Sequence, residues 1–559
     1  MSHKLPIGVS DFSKLRENDY YYVDKSLFIK EVINRSSEVL LLPRPRRFGK
    51  TLNLSMLRYF FEKREDSLAH LFKGLAIFKD AEIMPHQGQY PVIFLTFKNC
   101  KGSTFEECLS EIRGLLIDTY TEYQPLLDQK LTQREQQEYS KILAEEKNLR
   151  NWENALKFLM RLLHQQTGKR VIVLLDEYDA PIHAGQEHGY YEDIVRFMKL
   201  LLGSALKDNS DLEKGVVTGV LRIAKESIFS DLNNLDVLSL LRSEFDEYFG
   251  FTEAEIETLN QDFSLTDSLD TLKKWYDGYL FGSRVIYNPW SIISFLMSED
   301  RFPRPYWINT ASDSLLRDII TRTEPDFQEQ IEMLLAGETI TTPLNENIVL
   351  RDLESSEENI WSLLVFSGYL KPVKMIKQRL RPLYELAIPN LEVYSFYEQT
   401  LFNWIVKTVG SRRLQKLLQA LLKTDFKTFG ELLKEMVLAV LSFHDTAGDE
   451  PERVYHAFVL GLLTHLMDRY VIRSNRESGY GRYDVLMIPH NKTEPGFIFE
   501  FKKVNKSKEK SGNEALKSAL KQIQEQQYAV ELRSQGVKKI WGIGVVVKGK
   551  KVWVDSVLL

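Results

Sequence analysis

EVLLLPRPRRFGKTLNLS, residues 38 to 55, is the stretch on which the reading of this chain turns. Val39 to Leu42 is an unbroken apolar run of the kind found in a short buried strand; a loop follows, and a helix opens at about Gly49. In that context Gly49, Lys50 and Thr51 have a definite chemistry. Glycine lets the backbone approach a phosphate, and a helix N-terminus points unpaired N–H groups at it. Lysine reaches the outer phosphate oxygens, and a threonine hydroxyl can ligate Mg²⁺. One letter departs from G-x-x-x-x-G-K-[ST]: Arg44 stands where the first glycine belongs. Pro43 and Pro45 stiffen the loop instead, and Arg44, Arg46 and Arg47 set further cations beside Lys50. The plainer alternative for these letters alone is a basic loop before an ordinary amphipathic helix.

Downstream, RVIVLLDEYDAPIH (170 to 183) gives an apolar strand that ends in Asp176, Glu177 and Asp179. A carboxylate at the carboxyl end of a strand beside a phosphate loop can hold the shell of Mg²⁺, and a neighbouring carboxylate can polarise the attacking water. This is a Walker B pattern, and its position after the Gly-Lys-Thr loop makes a nucleotide-binding α/β fold the expected one. Gln89 to Asn99 reads as another buried strand, Thr104 to Gln166 as a charged helical insertion, and Lys214 to Ala224 as a strand with Thr218 and Arg222 at or beyond its end. Those two residues fit a phosphate sensor and a capping threonine with a surface arginine equally well. The aromatic stretches 231 to 256 and 275 to 290 read as packing.

Length and composition set the outer bounds. A chain of 559 residues with 43% hydrophobic content has room for about three packed domains. MSHKLPIGVSDF lacks the basic-then-apolar order of an export signal, and no apolar run is long enough to span a bilayer, so a cytoplasmic protein without membrane association is expected. Cys100 and Cys108 are the only cysteines, too few for a disulfide framework or a cysteine metal site. A formal net charge of −5 argues against a chain coated in nucleic acid, yet leaves room for local basic surfaces at Arg44 to Lys50, Lys502 to Lys510 and Lys548 to Lys551.

Near the C-terminus, Tyr483 to Pro489 and Phe497 to Val504 are apolar runs separated by a polar turn, a hairpin signature. If Pro489 faces Phe497, then Asp484 faces Lys502 and Leu486 faces Glu500, which puts the three polar residues on one sheet face and Phe499 with Phe501 on the other. Burying such charges costs several kcal/mol unless they pair or bind metal. Two carboxylates with a lysine beside them suit an oxygen-lined Mg²⁺ site in which the ammonium orients water for attack on a phosphodiester. A cross-strand salt bridge is the plainer alternative.

The succession LPIGVSDF, YYVDKS, LLPRPRRFGKT, LLDEYDAPI, VVTGVLRIAKESIFSDLNNL, FGFTEAEI and WYDGYLFG…YNPWSI resembles the AAA-ATPase-like family of P-loop proteins over about Leu5 to Phe295. That family keeps an arginine-rich R-P-R-R-F-G-K-[ST] loop, so the missing glycine is in keeping with it. The resemblance implies that ATP is held by Arg46, Arg47, Gly49, Lys50 and Thr51, that Thr51 and Asp176 attend the Mg²⁺, and that Glu177 is the base. ERVYHAF, SNRESGYGRYD, FIFEFK and ALKQIQEQQYA resemble the PD-(D/E)XK nuclease superfamily, with Tyr483 where proline would precede the aspartate. By that resemblance Asp484, Glu500 and Lys502 are catalytic, Glu452 joins Asp484 and Glu500 as a metal ligand, and Gln522 is a weaker candidate.

The expected protein is therefore α/β, with an ATPase domain at 1–295, a helical lid and connector at 296–445 and a small sheet near Leu363 to Pro389, and a nuclease-like domain at 446–559. Its expected function is ATP- and Mg²⁺-dependent, with cleavage of DNA or RNA under nucleotide control. The architecture, and no single residue, suggests defence against foreign nucleic acid. The rival reading is an ATP-controlled switch or scaffold whose nuclease-like domain binds nucleic acid or protein without cutting. Assembly into a homo-oligomer is compatible with either.

Overall fold

Strands β1 (Val39–Pro43), β2 (Val92–Thr96), β3 (Val171–Asp176), β4 (Leu212–Gly219) and β5 (Leu235–Val237) form one sheet in the order β2-β3-β4-β1-β5. Every pairing in it is parallel. A parallel sheet covered by helices needs strands that are apolar on both faces, and β1 and β3 are buried along their whole length. The computed structural model describes residues 4–127, 131–145, 152–221, 233–263, 269–307, 319, 325–335, 337–348, 353, 356–379, 381–409, 411–441, 459, 462–463, 466, 468–478, 481–503, 511–525, 529–548 and 551–559. The chain divides into two compact units, Met1–Ala311 with Thr341–Glu392, and Ser312–Ile340 with Val393–Leu559.

In the first unit the helix Lys50–Phe61 leaves β1, and the expected helical insertion is present between β2 and β3 as Phe105–Leu127, Gln133–Leu143 and Ala155–Thr167. From β1 the chain crosses to the far edge at β2, returns through β3 and β4, and only then adds β5 on the other side of β1. Connections therefore leave β1 and β4 in opposite directions, which opens a crevice beyond their carboxyl ends, the usual ligand position in such sheets. Two small sheets complete the unit. Strands β6 (Phe251–Thr252), β7 (Tyr279–Phe281) and β8 (Arg284–Tyr287) pair in the order β6-β8-β7. Strands β9 (Ile340–Pro343), β10 (Lys371–Ile376) and β11 (Leu383–Ala387) pair in the order β10-β11-β9, which is the small sheet expected near Leu363 to Pro389.

The second unit holds a mixed sheet of β12 (Tyr470–Ser478), β13 (Gly481–Pro489), β14 (Gly496–Lys503), β15 (Ile540–Lys548) and β16 (Lys551–Leu558), in sequential order. Only β14 and β15 are parallel, and the helix Gly512–Glu525 lies in the crossover that joins them. One face packs Val485, Phe497, Phe499 and Val545 against Leu417, Leu421, Phe429 and Leu433 of the helices Ser411–Leu422 and Phe426–Leu441. The other packs Leu486, Ile488 and Ile498 against Ile523 and Leu532. Among the described residues no helix is long and apolar enough to cross a membrane.

Gly542 and Gly544 on β15 let the helix Gly512–Glu525 lie close to this second face. A Cβ at Gly542 would stand 2.9 Å from Ile523 Cγ2 on the helix and 3.2 Å from Val557 Cγ1 on β16, so both neighbours would have to give way. Gly542→Ala is therefore expected to destabilise the C-terminal unit by about 1–3 kcal/mol. Chemical unfolding followed by circular dichroism measures this, and an unchanged midpoint would contradict the packing described.

Candidate functional site

At the carboxyl end of β1 the chain turns through Arg44 to Gly49 and enters the helix at Lys50. Left-handed backbone occurs at Gly49, φ 86°, and at Arg47, φ 68°, while Arg44 is not in that region. This explains the missing glycine: the position at which the motif is broken makes no conformational demand for one, and the strain has moved to Arg47, at about 1 kcal/mol. Lys50 is 5% exposed, and its Nζ donates to the carbonyls of Arg44 at 3.0 Å and Pro45 at 2.9 Å. Two of its three N–H bonds are thereby fixed on the loop. Burial lowers the Lys50 pKa, and Glu177, Asp176 and Asp179 oppose that shift.

Arg44 keeps its charge but is turned into the core. It is fully buried, donates Nη1–H bonds to the carbonyls of Pro43 (2.8 Å) and Leu238 (2.6 Å), and lies over the rings of Phe249 and Phe281. Burial pushes it down to about 9, so it remains a cation at neutral pH and serves as a strut behind the loop. The other two arginines stay outside the core. Arg47 is exposed with its guanidinium 4.1 Å above the Trp290 ring, and Arg46 is half-buried with its carbonyl accepting the Trp307 indole N–H at 3.1 Å.

Across the crevice, Asp176 ends β3 and is 1% exposed. Three threonines converge on it: Thr51 Oγ1 donates to Oδ2 at 2.8 Å, Thr96 Oγ1 to Oδ2 at 3.3 Å, and Thr218 Oγ1 to Oδ1 at 2.9 Å. Thr96 and Thr218 come from the ends of the flanking strands β2 and β4, so the sheet order brings them together. The structure thus unites Lys50, Thr51 and Asp176, as expected from sequence, and adds Thr96, whose only signal is a threonine at the end of an apolar run. Glu177 follows with φ 50°, a second strained position in the site. Arg222 lies outside the described residues.

The next turn is locked to the end of β4. Asp179 Oδ2 accepts the N–H groups of Val220 (2.8 Å) and Leu221 (3.1 Å), and the Tyr178 hydroxyl donates to the Leu221 carbonyl at 2.8 Å. Burial opposes the charge on Asp179, but His183 and these two amides outweigh it and hold the carboxyl below its usual range. Gly219 permits the approach, since a Cβ there would be 2.7 Å from Asp179 Oδ1 and 2.8 Å from Tyr178 Cε1.

A remote part of the same unit closes around the loop. Glu392 is fully buried; one carboxylate oxygen accepts Trp307 N–H at 2.6 Å and the other accepts the Ser291 hydroxyl at 2.8 Å. Burial raises its pKa from 4.5 to about 8. Between those two values the unfolded chain has lost this proton and the folded chain keeps it, so the Glu392 contribution to stability falls as pH rises. Glu392→Gln mimics the protonated acid and should flatten the dependence: urea midpoints taken at about pH 5.5 and about pH 7.5 should fall further in the parent than in the variant. Equal falls would contradict a buried, raised carboxyl.

In the second unit β13 and β14 are antiparallel, with Val485 opposite Phe499, Leu486 opposite Ile498 and Met487 opposite Phe497. This corrects the expected pairing by two residues. Pro489 does not face Phe497: it is paired with Tyr470 of β12, and the turn beyond it is closed by Asn491. A shift of two preserves the side-chain alternation, so Asp484, Glu500 and Lys502 do share a face, with Asp484 now opposite Glu500 one step along the register. Asp484 Oδ2 accepts the Phe501 N–H at 2.7 Å, Glu500 is 4% exposed, and Lys502 Nζ bonds Ser518 Oγ at 3.0 Å on the helix Gly512–Glu525. Gln522 is on that same helix, and Glu452 lies outside the described residues.

Among the described residues no group of three or more His, Cys, Asp and Glu gathers into a cage for a metal at either candidate site. The donors are instead carboxylate and hydroxyl oxygens, Asp176 with Thr51 in one unit and Asp484 with Glu500 in the other. That fits Mg²⁺, which keeps several waters and takes one or two carboxylates together with substrate phosphates.

A parallel-sheet domain with a lysine-threonine loop facing a strand-end aspartate, and a mixed-sheet domain with two carboxylates and a lysine on one face, define two enzyme-like modules in one chain. Residues 6–229 match a family model described as "Predicted AAA-ATPase", and residues 450–557 match the PD-(D/E)XK nuclease superfamily. The chain therefore carries a predicted AAA-ATPase domain followed by a PD-(D/E)XK nuclease-superfamily domain. Over 541 residues it is 28% identical to an uncharacterized protein in the vnfD 5′ region of Azotobacter chroococcum mcd 1, with 95% of this chain and 94% of the relative covered. The Walker-type ATPase PABY2304 of Pyrococcus abyssi aligns with 68% of this chain and 97% of its own, at 14% identity and a TM-score of 0.35, a distant likeness.

Proposed function

We propose that the N-terminal domain binds and hydrolyses ATP with Mg²⁺, and that the C-terminal domain cleaves nucleic-acid phosphodiesters with a divalent metal, under control of the nucleotide. The convergence of Lys50, Thr51 and Asp176 at the carboxyl ends of β1 and β3 is the observation that carries the first half. A bound Mg²⁺ would neutralise developing charge on the β- and γ-phosphoryl oxygens. The N–H groups at the start of the helix Lys50–Phe61 would face the phosphates, the Lys50 ammonium would add charge, and Thr51 with Asp176 would offer oxygen ligands. Three threonine hydroxyls hold Asp176 in one orientation, so little reorganisation is needed when the metal arrives. Glu177, next in sequence, is the group suited to take a proton from the attacking water.

In the nuclease-superfamily domain, Asp484 and Glu500 would hold the metal, which supplies a polarised phosphoryl group and an activated water. Asp484 is fixed by the Phe501 amide, and Lys502 is held by Ser518 beside the two carboxylates, where its ammonium can orient water or stabilise the leaving oxygen. Control by the nucleotide would require that its bound state change the nuclease-superfamily domain's activity. A cytoplasmic setting and a part in defence against foreign nucleic acid are consistent with this pairing of domains, and either DNA or RNA would serve as substrate.

The reading is tested on purified full-length protein. Lys50→Ala is expected to lose ATP binding, and Glu177→Gln to keep binding while turnover falls by ~10²- to 10⁴-fold. Glu500→Ala is expected to abolish Mg²⁺- or Mn²⁺-dependent cleavage across a panel of DNA and RNA substrates and to leave ATP turnover within about twofold, because the two sites use separate donor sets. Parental ATP turnover in both Lys50→Ala and Glu177→Gln would refute the first half. No cleavage by the parent on any substrate, despite ATP turnover, would refute the second and favour a domain that binds without cutting.

A further inference from the structure

A loop that turns its N–H groups toward an anion must turn its carbonyls away, and buried carbonyls need partners of their own. Around this loop the partners are identifiable. Pro43 O is taken by Arg44, the Arg44 and Pro45 carbonyls by Lys50, and Phe48 O by the Gly250 amide at 3.1 Å. Arg46 O receives its bond from the Trp307 indole, a residue 261 positions away. That indole is 2% exposed and lies 5.9 Å from the Tyr279 ring and 5.2 Å from the Tyr369 ring, so its N–H has a fixed direction.

Trp307 is in turn fixed by Glu392, through the bond from its main-chain N–H. The second oxygen of the same carboxyl takes the Ser291 hydroxyl, in the first turn of the helix Pro289–Met297. Asn288 caps this helix through the amides of Trp290 and Ser291, and Trp290 is the ring on which Arg47 rests. One buried side chain thus links both points at which the outer loop is held: the Arg46 carbonyl through Trp307, and the Arg47 guanidinium through the helix start that carries Trp290.

We propose that Glu392 is a positioning residue for the phosphate loop, acting through Trp307 to aim the Arg46–Phe48 segment and through Ser291 to hold the platform for Arg47. This rests on the reading of the loop as a nucleotide site. A chain needing only to fill this volume has no use for a carboxyl, because an apolar group avoids the desolvation that lifts its pKa. The bonding pattern needs an acceptor for the Trp307 amide and an acceptor for the serine hydroxyl, or a donor to it. A protonated acid and a primary amide both provide these, and a methyl group provides neither.

The test compares steady-state ATP hydrolysis by the parent, Glu392→Ala, Glu392→Gln, Trp307→Phe and Lys50→Ala, each checked for native far-ultraviolet circular dichroism. Trp307→Phe keeps a ring in place and removes only the N–H, so it remains informative if Glu392→Ala fails to fold. Both Trp307→Phe and Glu392→Ala are expected to raise KM for ATP by ~10-fold while kcat stays within about threefold, and Glu392→Gln to restore the parental KM. A purely structural role would lower active enzyme concentration and leave KM alone. Parental KM in Trp307→Phe and Glu392→Ala, with Lys50→Ala defective, overturns this proposal and leaves the nucleotide reading standing. Failure of Glu392→Gln to rescue also overturns it, because the charge and not the hydrogen bonding would then be what matters. Absence of ATP binding by the parent overturns both.

Discussion

The N-terminal unit is organised around a buried ammonium. Lys50 cannot sit at 5% exposure without compensation, and it receives it from two loop carbonyls and from the charges of Glu177, Asp176 and Asp179 at the end of β3. That requirement links two strands that are not neighbours. β4 stands between β1 and β3, and its last residues are drawn into the same arrangement, Thr218 by Asp176 and the Val220 and Leu221 amides by Asp179. The loop, the acidic turn and the end of β4 thus share one electrostatic arrangement. The same arrangement leaves cationic and hydroxyl groups concentrated where an anionic, metal-bearing ligand would be stabilised.

The arginine-rich loop departs from the glycine pattern at a position whose backbone needs no glycine. Glycine is required where φ is positive or where backbone must approach closely, and position 44 meets neither condition. The space is used instead by a buried guanidinium braced on carbonyls and aromatic rings, which ties the loop to the aromatic residues Phe249 and Phe281. The strain reappears at Arg47, where stacking on Trp290 offsets part of it, by about 0.5–1 kcal/mol at an exposed site. Here the surrounding protein holds much of the loop in shape beforehand.

Much of this was legible in the sequence, for physical reasons that differ from part to part. Strands β1 and β3 could be read because buried parallel strands have to be continuously apolar, and the residues after each carry chemistry that apolar packing does not explain. The shared face of Asp484, Glu500 and Lys502 survived a pairing that was wrong by two, because alternation depends only on even or odd spacing. Thr96 was invisible: a threonine ending an apolar run looks the same whether or not sheet order carries it to an aspartate. The burial of Arg44 is not legible, since nothing local distinguishes a buried arginine from an exposed one. The Trp307–Arg46 bond joins residues too far apart in sequence for any spacing rule to find.

The central claim is that Lys50, Thr51 and Asp176 together form a triphosphate site. Linkage tests it without relying on turnover, since a ligand that binds only the folded state stabilises it by an amount fixed by its saturation, about 2.7 kcal/mol at a hundredfold excess over Kd. The measurement is the unfolding free energy of the full chain with and without a slowly hydrolysed ATP analogue at constant free Mg²⁺. The account predicts a clear rise in the parent that is lost in Lys50→Ala. No rise in the parent, or an equal rise in the variant, would contradict it.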